Sequence, residues 1–202
     1  MTTIQLFTDG GAFKRGKVSI SVGIMYINRK KILSFEKINF NKSSDFAELF
    51  AINKILSRTY GYCNQKKILS DDFHIEIYTD SLSSIDSILS ENNKEHLTAR
   101  DDLISEIKTK IIKLNGKVSF YHIKSHISGK NLKTAYKMFC KRNNVEIPFD
   151  DFVFIQQQNK KCDNIISKEY KKYNKQQRIK ESINKLKEKE LKRIEDFNID
   201  AI

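Results

Sequence analysis

The chain begins with a short apolar run, residues 4–8, that ends in Thr8-Asp9-Gly10-Gly11. From 18 to 28, apolar and polar positions alternate, with Val18, Ile20, Val22, Ile24 and Tyr26 on one face. That two-residue period is the mark of a strand, and residues 32–40 form a third such stretch. Gly10, Gly11 and Gly16, with Lys14, Arg15 and Lys17, separate the first two runs, and Asn28-Arg29-Lys30-Lys31 separates the next two. Loops this short join antiparallel neighbours, so the first three strands form a meander. The period then changes. Phe46, Leu49, Phe50, Ile52, Asn53, Leu56 and Tyr60 recur at helical spacing, behind the capping residues Ser43-Ser44-Asp45.

Residues 73–79 predict a fourth strand, 81–91 and roughly 98–114 two helices, and 117–123 a fifth strand. A helix before each of the last two strands lets them lie parallel to the first. The expected architecture is a mixed α/β fold: a five-stranded sheet, three antiparallel strands followed by parallel ones, flanked by helices. After His126, a short helix over 131–142 places Lys133, Lys137 and Lys141 on one face, and Leu132, Tyr136 and Phe139 on another. Pro148, the sole proline, opens Phe149-Asp150-Asp151-Phe152-Val153-Phe154. A helix is expected over 159–173, and Lys-, Glu- and Gln-rich helical sequence continues to about Phe197. The stripe Ile179, Ile183, Leu186, Leu191 and Ile194 is too irregular for a coiled coil.

Two of the strands share an ending, Phe7-Thr8-Asp9 and Tyr78-Thr79-Asp80. A carboxylate at the end of a buried strand is costly without a positive partner, and a divalent metal is the usual one. Two such ends side by side would repel each other and raise a pKa unless a cation sat between them. Glu48 has two readings: a capping-box partner of Asp45, or a carboxylate that reaches the sheet end from the first turn of its helix.

The formal net charge of +12 is spread over both the strand-rich part and the tail, which points to a polyanionic partner. Cys63, Cys140 and Cys162 form no C-x-x-C, so neither a disulfide framework nor a zinc site is expected, and a reducing compartment fits. No apolar run approaches the roughly 18 residues of a membrane span. The expectation is an intracellular, cytoplasmic protein with no membrane partner.

The ordered set of motifs is specific. Phe7-Thr8-Asp9-Gly10-Gly11 is followed by Ala47-Glu48, Tyr78-Thr79-Asp80-Ser81, His122-Ile123-Lys124-Ser125-His126 and Asn159-Lys160-Lys161-Cys162-Asp163, this last opening a final helix. The set resembles ribonuclease H, whose members carry T-D-G, an M-E or A-E on the first helix, T-D-S, a K-G-H-type loop and N-x-x-C/A-D. The resemblance spans residues 1 to about 175 and leaves 176–202 as a basic helical extension. It implies an endonuclease that hydrolyses the RNA strand of RNA–DNA hybrids. It further implies that Asp9, Glu48, Asp80 and Asp163 bind two Mg2+ ions, with Mn2+ able to substitute, and that His126 moves a proton near the scissile phosphate. Two alternatives are another nuclease of this fold, acting on DNA junctions or double-stranded RNA, and a non-catalytic nucleic-acid binder.

The chain also departs from the family. Ser44 and Asp45 stand where bacterial members often carry asparagines that read a ribose 2′-hydroxyl, and the Ser44 hydroxyl can make that hydrogen bond. No tryptophan-rich protrusion lies between Asp80 and Ser119. Residues 128–158 form an insertion, and Lys133, Lys137 and Lys141 on its helix are the expected phosphate contacts.

Overall fold

The structure is a computed structural model that describes residues 2–68, 73–90, 98–125, 127 and 131–199, the side chains of 191–199 excepted. Among the described residues ten elements follow in order: β1 (Thr2–Phe13), β2 (Val18–Ile27), β3 (Lys30–Phe40), α1 (Ser44–Gln65), β4 (Phe73–Thr79), α2 (Leu82–Leu89), α3 (Ala99–Lys113), β5 (Val118–His122), α4 (Leu132–Asn143) and α5 (Phe149–Ile199). The strands form one sheet in the order β3-β2-β1-β4-β5. β1, β2 and β3 pair antiparallel, while β4 lies parallel to β1 and β5 parallel to β4. This is the expected mixed sheet. Among the described residues no helix is long and apolar enough to cross a membrane.

Backbone chemistry fixes the hairpins. Asn28 and Arg29 both take positive φ, 50° and 58°, the two-residue turn whose twist matches its flanking strands. Arg29 is held there by an ion pair with Asp151 and by stacking over the Phe154 ring. β1 is longer than the apolar run that announces it. Asp9, Gly10 and Gly11 remain in register with Val22, Ser21 and Ile20 of β2, so the strand continues through the motif to Phe13.

The chain divides into two compact units, Met1–Ile166 and Ser167–Ile202. In the first, one sheet face packs on α1 and α3 through Leu6, Met25, Ile75 and Ile77 against Leu49, Ile52, Ile55, Leu56, Leu103 and Ile107. The other face carries an aromatic row. Phe7 stacks on Tyr78 and Tyr78 on Tyr121, with centroids 5.1 and 5.2 Å apart, and Phe154 of α5 meets Phe7 edge-on. The Tyr26 hydroxyl donates to Gln158 Oε1 at 2.5 Å, a further tie between the sheet and α5.

Two helix boundaries differ from expectation. α1 runs to Gln65 rather than to about Tyr60, because Thr59 and Cys63 are buried and the Thr59 hydroxyl reaches Met25 Sδ at 3.7 Å. α5 opens at Phe149 rather than at Asn159. Pro148 ends the preceding loop, Asp150 and Asp151 fill the first turn, and Phe152 packs on Tyr136 and Phe139 of α4. The second unit is helical through Ile199. It is stitched by a Lys172–Glu169 ion pair at 3.6 Å and a Ser182 hydroxyl donating to the Arg178 carbonyl at 2.9 Å.

Candidate active site

β1 and β4 are aligned by the pairing of Phe7 with Tyr78. Asp9 stands two residues further along β1, and Asp80 directly follows the last residue of β4, Thr79, so the register brings the two carboxylates to the same end of the sheet. Gly10 faces the other way, towards α1. The Ser43 hydroxyl caps that helix, accepting from the Phe46 N–H at 3.1 Å. The residue three beyond the cap is therefore Phe46, and Glu48 is not a capping-box partner. Asp45 is engaged elsewhere, with Arg100 Nε at 2.5 Å and the Ser83 hydroxyl at 3.2 Å. The Ser21 hydroxyl donates to the Ala47 carbonyl at 2.8 Å, and the Ser44 hydroxyl to the Gly10 carbonyl at 3.4 Å. These bonds seat the first turn of α1 on β2 and β1, and Glu48 turns towards Asp9.

One carboxylate oxygen each from Asp9, Glu48 and Asp80 lie within 4.8 Å of one another. Asp9 is 5% exposed and Glu48 8%. Asp9 Oδ2 and Glu48 Oε2 are buried without a hydrogen-bond partner among the described residues. Burial, then the charges of Asp80 and Asp163, push the Asp9 carboxyl up to about 8, against the pull of a backbone hydrogen bond from Gly10. Burial, then Asp9 and Asp80, hold Glu48 well above the ordinary carboxylate range. Burial also raises Asp80, moderated by a hydrogen bond from the Ser125 side chain. Three carboxylates so placed oppose each other's ionisation, and a divalent cation reverses that cost. The donor set is all oxygen, which suits a hard cation.

Asp163 sits in the interior of α5 rather than at its start. It is hydrogen-bonded to Asp9, and its charge acts on both Asp9 and Asp80, although it is not part of the 4.8 Å group. Its neighbour Cys162 is fully buried, with Sγ 3.8 Å from the Phe7 carbonyl oxygen. His126 lies outside the described residues. Lys133, Lys137 and Lys141 are exposed, on the side of α4 opposite buried Ala135 and Phe139.

His122 and Ser125, both in the loop motif, and Arg142, which no motif marks, surround Asp80. Ser125 touches the Asp80 carboxylate. His122 Nε2 lies 3.2 Å from the Asp80 main-chain oxygen, and its Nδ1 lies 2.7 Å from the Arg142 guanidinium. A guanidinium only donates, so Nδ1 accepts and Nε2 carries the proton that it donates to Asp80. Burial, then Arg142, lowers the basicity of this ring.

The sequence model of one family, RNase H, matches residues 1–171. Among solved structures, the chain is similar to LC11-RNase H1 in complex with an RNA/DNA hybrid, at 14% identity and a TM-score of 0.52, covering 60% of this chain and 86% of that one. It is also similar to the LC11-RNase H1 structure described as isolated from compost by a metagenomic approach, at 14% identity and a TM-score of 0.51, covering 71% of this chain and 97% of that one. No curated protein matches the chain.

Proposed function

The chain belongs to the RNase H family of ribonucleases, and on that premise we propose that it is an endonuclease cutting the RNA strand of RNA–DNA hybrids with two divalent cations, Mg2+ or Mn2+. The observation that carries this reading is the convergence of Asp9, Glu48 and Asp80 oxygens within 4.8 Å, two of their buried oxygens having no hydrogen-bond partner among the described residues. Asp9, on the central strand between β2 and β4, would hold the cations together with Glu48, Asp80 and Asp163. Bound there, the cations would supply an activated water and stabilise the leaving oxygen of the phosphodiester. His126 is assigned the proton transfer that accompanies water attack or product release.

The structure of LC11-RNase H1 with an RNA/DNA hybrid, on the same fold, supports the choice of substrate. Ser44, whose hydroxyl donates to the Gly10 carbonyl, is the proposed contact to a ribose 2′-hydroxyl. Lys133, Lys137 and Lys141 are the proposed phosphate contacts. Residues 1–175 form the catalytic part with an insertion at about 128–158, and 176–202 a basic extension. Cys63, Cys140 and Cys162 are free thiols, in keeping with a reducing, cytoplasmic setting.

The test is a cleavage panel of labelled RNA–DNA hybrid, duplex RNA, duplex DNA and a four-way junction, each with Mg2+ and with EDTA. Cleavage of the hybrid's RNA strand alone, abolished by EDTA, is the expected result. Cleavage of the junction or of duplex RNA in preference to the hybrid would replace this reading with the corresponding nuclease.

A further inference from the structure

β5 is an edge strand, and its last residue, His122, has an outward N–H and C=O that no strand pairs. Both are taken by one side chain of α4. Asn143 Oδ1 accepts from the His122 N–H at 2.8 Å, and Asn143 Nδ2 donates to the His122 carbonyl at 3.1 Å. The same Nδ2 donates back to the Phe139 carbonyl at 3.0 Å, so the amide is fixed to its own helix while it acts as one residue of a sixth strand. On the inner side, the Ile123 N–H donates to the Thr79 carbonyl at 2.9 Å. The end of β5 is thus clamped between β4 and α4.

That clamp reaches Asp80 through the His122 ring. The His122 ring, turned by Arg142 so that Nε2 carries the proton, donates to the Asp80 main-chain oxygen. An exposed guanidinium and an amide at the end of α4 therefore reach the candidate metal ligand through His122. Neither touches the carboxylate itself. We propose that Arg142 and Asn143 are positioning residues for Asp80, and that the segment between β5 and α5 serves the active-site framework through the C-terminal end of α4. The proposal rests on the reading of Asp80 as a metal ligand. It separates two parts of one helix, since the lysine face points away from this contact.

Residues that orient metal ligands from outside the first layer typically cost 10–100-fold in metal affinity or activity when changed. Arg142→Met removes the donor to His122 Nδ1 and should lower kcat on hybrid by about tenfold or more within that range. It should also weaken Mg2+ binding measured by calorimetry without substrate, with KM and the salt dependence of hybrid binding unchanged. Arg142→Lys, which keeps a donor, should recover part of both losses. The ring 15N shifts of His122 should report the Nε2–H tautomer in the wild type and a change of tautomer population in Arg142→Met. Asn143→Ala should show the same kcat and Mg2+ losses, and a folded near-ultraviolet dichroism spectrum identifies it as a native-state effect. Were Arg142→Met to raise KM and flatten the salt slope while leaving kcat and Mg2+ affinity intact, Arg142 would be a phosphate contact and the proposal overturned. Unchanged values throughout would overturn it equally. The calorimetry and tautomer readouts need no nuclease activity, so failure of the wild type to cut hybrid would count against the proposed function and not against this relay.

Discussion

Gly10 and Glu48 touch backbone to backbone. A Cβ built on Gly10 would lie 2.4 Å from the Glu48 nitrogen and 2.5 Å from the Ala47 carbonyl carbon. Neither atom can swing aside, since both belong to the first turns of α1. The missing side chain at position 10 is what lets α1 approach β1 closely enough for Glu48 to join Asp9. Gly10→Ala should lift the helix start, costing about 1–3 kcal/mol as overpacking does. Cleavage should fall further than that stability loss accounts for, because Glu48 moves with its helix. Thermal melting and turnover, measured on the same preparation, check both; a wild-type rate would mean that Glu48 has no part in the chemistry.

Asp9 stands where burial and two neighbouring acids all oppose its charge. Asp9→Asn should keep the fold and reduce cleavage by roughly a hundred-fold or more, since it removes a contribution worth several kcal/mol. Asp80→Asn should behave in the same way. Circular dichroism with single-turnover cleavage is the measurement. Hybrid cut at the wild-type rate by Asp9→Asn would remove the metal reading.

The site was readable in the sequence to the extent that it rests on strand register. Aromatic-Thr-Asp occurs twice, and parallel pairing of Phe7 with Tyr78 carries Asp9 to Asp80 without further help. The meander followed by parallel crossovers was readable for the same reason, since loop length and period decide it. The start of α5 was not. Phe152 faces α4 while Phe154 faces the sheet, so both sides of the helix are apolar and the period that marks a surface helix is lost. The end of α1 was hidden by Gly61, a poor helix former that tertiary contacts of Thr59 and Cys63 override. Nothing local connects Arg142 and Asn143 to His122, and only the folded chain brings them together.

The raised Asp9 carboxyl gives the metal-free protein a signature in pH. Its pKa is about 8 in the folded chain against an ordinary 3.8, so the folded state binds the extra proton between those values. Stability from this group is fully present below the ordinary pKa and is lost as pH rises through about 8. In EDTA, the melting temperature of wild type relative to Asp9→Asn should fall between about pH 5.5 and about pH 9. Added Mg2+ should restore the wild type chiefly at the higher pH, because binding requires the carboxylate deprotonated. A difference between the two proteins that stays flat across this window would mean that Asp9 is not held in its protonated form.

Lys133, Lys137 and Lys141 share one exposed face of α4, on the side opposite buried Ala135 and Phe139. An acidic cluster repels the polyanion it is proposed to cut, so cations near it must hold the substrate. The C-terminal end of the same helix is tied to β5 through Asn143. Changing all three lysines to alanine should raise KM for hybrid strongly and spare kcat. For every lysine that neutralises a phosphate, its removal should flatten the slope of log affinity against log salt by roughly 0.7–0.9. Truncation after Tyr173 should do the same more weakly, since it removes Lys175, Arg178 and Lys180. Hybrid binding across a salt series is the measurement. Arg142→Met is the internal control, because it should lower kcat with the salt slope intact. A triple variant with an unchanged slope would take the lysine face off the substrate path, leaving α4 its framework role alone.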